Sequence, residues 1–199
     1  IKGVEVHVNS PIQRIDDLPK GITIIACGLG CLTFPMSTQL PLRAVRGQIT
    51  TIAQSSYSAN LRAALCYGGY MAPPSKGAHC IGATFQRNQT HTTSLAEDDL
   101  SNIEKLSSSI QSLDFKYKVL DSRASVRVAS RDYFPIVGQL GRDVYISAAH
   151  GSHGVLSSLL SANILRDIIL QKEVLVSALL ACLFFLPCQQ LKWVLRKEA

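Results

Sequence analysis

The residues with most chemistry in this chain are one arginine and one glycine turn. Arg127 lies in Ser125-Val126-Arg127-Val128-Ala129-Ser130-Arg131-Asp132-Tyr133-Phe134-Pro135-Ile136-Val137-Gly138, an apolar, strand-like run that breaks into an Asp-x-x-Pro turn. A guanidinium on such a strand can hold a carboxylate through two parallel hydrogen bonds. Shortly after it, Val144-Tyr145-Ile146-Ser147-Ala148-Ala149-His150-Gly151-Ser152-His153-Gly154 reads as an apolar strand entering a glycine-rich turn and then a helix. A helix N-terminus after a glycine turn presents free backbone N–H groups to an electron-rich ligand. Together the two features predict a site for a flavin and an acidic substrate.

The elements that must position them have two textures. Gly21-Ile22-Thr23-Ile24-Ile25-Ala26-Cys27-Gly28 is a continuous apolar run ending in glycine, the pattern of a buried parallel strand. Ligands in open α/β sheets sit at the carboxyl ends of such strands, which puts Gly28 and Gly30 where backbone can approach a phosphate. Val144 to Ala149 reads as a second buried strand, and Val155 to Leu170 as a helix with Leu156, Leu159, Leu160, Ile164 and Ile168 on its apolar side. Val4, Val6 and Val8 alternate with polar residues and predict a half-buried strand, with Ile12 to Ile15 as its partner. Between these parts, Val45–Ala53, Ala64–Ala72, His79–Thr84 and Ser122–Val128 read as strands separated by turns. One amphipathic helix interrupts them. It starts near Ser94 or Ala96 and carries Leu100, Ile103, Leu106 and Ile110 on one face, with Glu97, Asp98 and Asp99 in its first turn, at the positive end of the helix dipole. The reading is α/β (α+β), parallel-type elements at either end bracketing a mostly antiparallel insert.

Bulk properties agree with a globular protein. Of 199 residues, 47% are hydrophobic and 17% charged, which excludes a disordered chain. The net charge of +6 is compatible with a polyanionic partner such as RNA. Cys27, Cys31, Cys66, Cys80, Cys182 and Cys188 form no Cys-x-x-Cys pair, so neither a zinc site nor a disulfide framework is expected, and reduced cysteines indicate a cytoplasmic setting. His150-x-x-His153 has no third ligand nearby, so no metal is expected. Val174 to Leu186 is very apolar but spans 13 residues, against the roughly 20 needed to cross a bilayer as a helix; a packed C-terminal helix is expected and no membrane partner. The opening Ile1-Lys2-Gly3-Val4 has neither an initiator methionine nor a signal peptide, and the chain reads as starting in the middle of a fold.

Leu40-Pro41-Leu42-Arg43-Ala44-Val45-Arg46-Gly47-Gln48-Ile49 resembles the Pro-x-x-x-Val-Arg-Gly-Gln segment of the D-amino-acid-oxidase-like flavoproteins, which include glycine oxidase. Leu65 to Pro73, His79 to Phe85 and Val126 to Gly138 resemble a narrower group, the C-terminal oxidoreductase half of the bifunctional tRNA 5-methylaminomethyl-2-thiouridine biosynthesis proteins, as does the tail from Ser177 through Leu191-Lys192-Trp193-Val194-Leu195-Arg196. The resemblance covers nearly the whole chain, with the motifs in the family's order. The family's dinucleotide motif, Gly-x-Gly-x-x-Gly, does not occur in this sequence. The chain therefore reads as the C-terminal part of such an FAD-binding fold, with residues 1–40 and 139–199 as a partial FAD-binding domain and 41–138 as an antiparallel-sheet, substrate-binding domain.

The resemblance implies roles residue by residue. Arg127 would bind the substrate carboxylate; the alternative is a structural arginine paired with Asp132. Tyr70 would be the substrate-side tyrosine, with Tyr67 as competitor. Gly151, Ser152, His153, Gly154 and Val155 match the second flavin-binding loop, whose N–H groups would face the flavin N1/O2 edge, although His153 departs from the arginine or asparagine common there. Gly28 and Gly30 match the loop near the pyrophosphate, Ile12 the backbone that touches adenine, and Gly47 and Gln48 a place close to the flavin ring; each of these also has a reading as plain turn or packing chemistry.

The implied activity is FAD-dependent oxidative removal of the carboxymethyl group from 5-carboxymethylaminomethyl(-2-thio)uridine at the tRNA wobble position, giving 5-aminomethyluridine. The implied partners are tRNA and a methyltransferase, fused or separate. Two alternatives stand beside it: a small-amine oxidase of the glycine or sarcosine type, and a catalytically silent fragment that lacks the FAD pyrophosphate motif.

Overall fold

In a computed structural model of the chain, residues 3–110 and 117–172 are described. The chain divides into two compact units, one of Ile1–Arg43 with Val128–Ala199 and one of Ala44–Arg127.

The first unit is built on a three-stranded sheet in the order β1 (Thr23–Ile25), β9 (Val144–Ala148), β8 (Ile136–Gly141). The β1–β9 pair is parallel, as the continuous apolar runs predict, and β8–β9 is an antiparallel hairpin. That hairpin is why Val128–Gly138, expected with the antiparallel insert, falls in this unit. The core gathers Ile25, Cys31, Phe34, Val128, Ile136, Val144, Ile146 and Ala148. After β9 the chain turns through Gly151–His153 into helix α2 (Gly154–Ile169). The buried face of α2 is Ser157, Ser161 and Leu165, one residue every four. Leu156 and Leu159, expected on the core side, are instead 63% and 66% exposed, and Val155 is 90% exposed. The alternating valines Val4, Val6 and Val8 form no strand and stand in solvent, and residues 12–15 give no partner strand, only the start of a 3-10 turn at Ile15–Asp17. Alternation becomes a strand only where a neighbour supplies the ladder hydrogen bonds.

The second unit is an antiparallel sheet of six strands, with β3 (Leu65–Tyr67), β4 (Gly69–Met71), β5 (Ala78–Gly82), β2 (Leu42–Ala53) and β6 (Gln86–Arg87) in that order and β7 (Val119–Ser130) paired with β2. The single strand expected over Ala64–Ala72 folds on itself at Gly68, so that Cys66 faces Tyr70. Gly69 is required there: a Cβ would stand 2.7 Å from the Gly82 carbonyl oxygen of the neighbouring strand.

Helix α1 (Ala96–Ser109) covers one face of this sheet. Its acidic first turn is as expected, but its buried column is Asp98, Asn102 and Leu106, while Leu100 is 59% exposed. The sheet face beneath is polar, which explains the difference. Arg46, Gln48 and Thr50 are all fully buried. Arg46 pairs with Asp98 and also donates to Gln48 Oε1, Gln86 Oε1 and the Thr93 carbonyl. Thr50 and Gln48 both donate to Asp99, and the Asn102 amide donates to the Gln48 carbonyl. Ile52, Met71, Ile81 and Leu106 make the small apolar core beside this network.

Candidate active site

The opposite face of the six-stranded sheet is open. Strand alternation puts Ser122, Ala124 and Val126 toward α1, where the Ser122 hydroxyl donates to Asp99, and turns Arg123, Ser125 and Arg127 to the open side. The same alternation on β2 sends Arg46 and Gln48 into the buried network and Gly47 to the open side. A Cβ at residue 47 would lie 2.5 Å from Arg127 Nη2 and 2.8 Å from the Thr84 carbonyl oxygen, so the missing side chain is what lets the guanidinium lie across β2. The guanidinium carbon sits 5.6 Å from the centroid of the half-exposed Phe85 ring, a cation–π contact. Among the described residues Arg127 has no ion pair, and the Asp132 carboxylate accepts the Phe134 N–H instead. The result is an exposed guanidinium fixed at its edges with its hydrogen-bonding fork unspent.

Tyr70 lies on β4 opposite Gly82 of β5, on the same open face. Burial raises its phenol, Cys80 adds to the rise by charge and hydrogen bond, and the positive charges of Arg127 and Arg123 pull it back down. Tyr67 belongs to the other environment. It packs against the apolar core, its hydroxyl donates to the Tyr70 carbonyl at 3.1 Å, and burial pushes its phenol up to about 12. Of the two tyrosines, Tyr70 is the one on the face of Arg127. The structure thus brings Arg127, Tyr70 and Gly47 together and adds Phe85 and Arg123, which the sequence reading missed.

Gln48 requires a correction. Expected near a flavin ring, it is fully buried on the α1 side. Its amide oxygen accepts from the Leu95 N–H and Arg46, and its amide nitrogen donates to Asp99 and the Leu95 carbonyl. The side chain has nothing left to offer a ligand. A period of two starting from Gly47 carries the signal: neighbours on a strand face opposite ways.

In the first unit, Gly151 adopts φ +60° and opens the turn, and Gly151, Ser152 and His153 are exposed. No side chain caps the N-terminus of α2, the end of a helix whose first N–H groups have no intrahelical partner. His150 anchors the turn: its ring bridges the Ser147 and Ser157 hydroxyls at 3.0 and 3.1 Å, and burial lowers its pKa. Among the described residues no cluster of His, Cys, Asp and Glu is placed to hold a metal ion, and no helix is long and apolar enough to cross a membrane. The apolar segment 174–186 and the tail from Ser177 lie outside the described residues. Gly28 has φ +57° and nothing within 4 Å of where a Cβ would stand, at the start of a 3-10 turn in which a Cβ on Gly30 would lie 3.2 Å from the Cys27 sulfur. Ile12 is 41% exposed in irregular chain.

The chain matches known proteins along its length. The sequence is 32% identical over 193 residues to the tRNA 5-methylaminomethyl-2-thiouridine biosynthesis bifunctional protein MnmC of Pseudomonas savastanoi pv. phaseolicola, covering 80% of this chain and 29% of that protein. For the protein of the same name from Chromobacterium violaceum the figures are 33% over 183 residues, 74% and 27%. The chain thus spans less than a third of the length of these curated relatives. The fold is shared with glycine oxidase from Geobacillus kaustophilus (TM-score 0.63, 20% identity, 76% of this chain and 42% of that one). It is also shared with iminodiacetate oxidase from Chelativorans sp. BNC1 (TM-score 0.65, 16% identity, 80% and 45%). It is the α/β architecture of FAD-binding oxidases, with its antiparallel sheet. The family description DAO, FAD dependent oxidoreductase, matches residues 2–168, and the chain belongs to that FAD-dependent family.

Proposed function

We propose that this chain supplies the substrate-binding sheet and part of the FAD site of a cytoplasmic enzyme that oxidatively removes the carboxymethyl group from 5-carboxymethylaminomethyl(-2-thio)uridine at the tRNA wobble position, leaving 5-aminomethyluridine. The observation that carries the reading is Arg127: an exposed guanidinium, steadied by Phe85 and the bare backbone at Gly47, with no acid of its own among the described residues. Such a group is built to receive a carboxylate from outside the chain. The MnmC relatives are named for tRNA 5-methylaminomethyl-2-thiouridine biosynthesis, and a carboxymethylaminomethyl precursor of that base carries a carboxylate of the kind Arg127 suits.

The residues of the first unit fit FAD. The uncapped N-terminus of α2 after Gly151 offers backbone N–H groups and the positive end of a helix dipole, which suits the N1/O2 edge of a flavin, negative when reduced. Gly151, Ser152, His153, Gly154 and Val155 would hold that edge, and Gly28 and Gly30 would lie by the pyrophosphate. Bound there, FAD would supply the two-electron oxidation of the carbon beside the amine, and water would complete release of the carboxymethyl group as glyoxylate. Arg127 binds and orients the carboxylate by a two-point grip, and the Tyr70 hydroxyl closes on it from β4. No proton donor or acceptor is required of the chain when the amine arrives neutral, so its contribution is positioning. The partners of this reading are tRNA and a methyltransferase, fused or separate, that consumes the aminomethyl product.

The test gives the full-length enzyme, anaerobically, tRNA bearing the carboxymethylaminomethyl group, free glycine or sarcosine, and follows flavin bleaching. The modified tRNA is expected to bleach the flavin fastest, with a rate at low substrate that falls steeply with salt, because phosphate contacts release counterions. Equal bleaching by sarcosine or glycine at matched concentration replaces the tRNA reading with a small-amine oxidase.

A further inference from the structure

The open face carries more cationic binding capacity than one carboxylate uses. Arg123 and Arg127 are both exposed on the same side of β7, separated by Ser125. Four residues of extended strand set their Cα atoms about 13 Å apart. A carboxylate fills one guanidinium fork and cannot bridge that span. Among the described residues neither arginine has an ion pair. Asp121 shares their side of the strand, but its carboxylate accepts the Ser122 N–H and makes no ion pair with Arg123. The two cations nevertheless share one face: both stand on the open side of β7, the side of the same sheet on which Tyr70 lies on β4.

We propose that Arg123 binds a backbone phosphate of the substrate nucleotide while Arg127 holds its carboxylate. The inference rests on the tRNA reading given above. In that substrate the carboxylate ends a short arm on the base, and the other anion within a nucleotide's reach is phosphate. Arg123 thereby measures the distance from arm to backbone. It favours a modified nucleotide in an RNA chain over a free amino acid that ends in the same carboxylate. It is a positioning and specificity residue and takes no part in the oxidation.

The experiment compares Arg123→Ala and Arg123→Lys in the full-length enzyme with two probes: tRNA bearing the carboxymethylaminomethyl group, and the free 5-carboxymethylaminomethyluridine nucleoside, which has no phosphate. In Arg123→Ala the ratio of kcat/KM for tRNA to that for nucleoside is expected to fall about tenfold, through KM for tRNA. The slope of log kcat/KM for tRNA against log salt should become shallower by about 0.7, one phosphate contact on a single strand. Arg123→Lys should recover most of the loss, because phosphate accepts a point charge. An unchanged ratio and slope in Arg123→Ala, with wild-type enzyme turning over modified tRNA, overturns the assignment of Arg123 alone. Wild-type enzyme that fails to turn over modified tRNA overturns the tRNA reading and this assignment together.

Discussion

The two faces of the six-stranded sheet use the same residue chemistry to opposite ends. On the α1 side, Arg46 is fully buried with an aspartate and three further hydrogen-bond acceptors around it. On the open side, Arg127 touches a phenylalanine ring and a glycine backbone and keeps its fork. A buried arginine whose two Nη groups are both engaged is part of the fold; an exposed arginine held in place and, among the described residues, left without an acid is the candidate binding group. Strand alternation separates the two roles by a single residue, as Arg46 and Gly47 show.

The largest effect should come from breaking the buried side. Asp98→Ala leaves Arg46 buried without its counter-charge, a loss of about 3–5 kcal/mol, so the urea midpoint should drop sharply or the protein should be recovered unfolded. A variant with an unchanged midpoint would mean that this network is not structural. Next comes Arg127→Ala, expected to cut kcat/KM for the carboxylated substrate by roughly 30-fold or more while leaving the urea midpoint near wild type, since the side chain is exposed. Arg127→Lys should rescue only in part, because an ammonium lacks the fork. Parallel losses of stability in Asp98→Ala and Arg127→Ala would erase the contrast between the faces. The smallest effect is the sharpest probe of geometry. Gly47→Ala puts a methyl where Arg127 Nη2 and the Thr84 carbonyl now stand, and displacement of the guanidinium should lower kcat/KM about tenfold with the arginine still present. Wild-type kinetics in Gly47→Ala would show that Arg127 does not need its position over β2.

Much of this fold was legible because its strands follow simple periods. The continuous run at Gly21–Gly28 and the one at Val144–Ala149 became the parallel pair β1–β9, and the runs around Val45, His79 and Ser122 became β2, β5 and β7. Helix faces were less legible. Apolar periodicity assumes an apolar core, so it chose Leu100, Leu156 and Leu159, whereas α1 and α2 bury Asp98, Asn102, Ser157 and Ser161 against their neighbours. In the candidate site, Arg127 and Tyr70 were readable from motif and residue type. The partners that hold them were not: Phe85 and Gly47 reach Arg127 through strand pairing across β2, β7 and the segment after β5, contacts that no local window contains. Gln48 was misplaced for the same reason, since its partners come from a helix some fifty residues on.

Ile22 and Ile24 stand about half exposed beside and within β1, and Val155, Leu156 and Leu159 line the outer side of α2. In colloidal terms the described residues of the first unit therefore present an adhesive surface, with β1 at the edge of its sheet and a row of branched side chains that water does not wet. A net charge of +6 spread over the chain gives long-range repulsion that ordinary salt screens. The 199 residues prepared by themselves should scatter light increasingly with concentration and with salt, a handling property set by these five side chains and independent of Arg123 and Arg127 in the other unit.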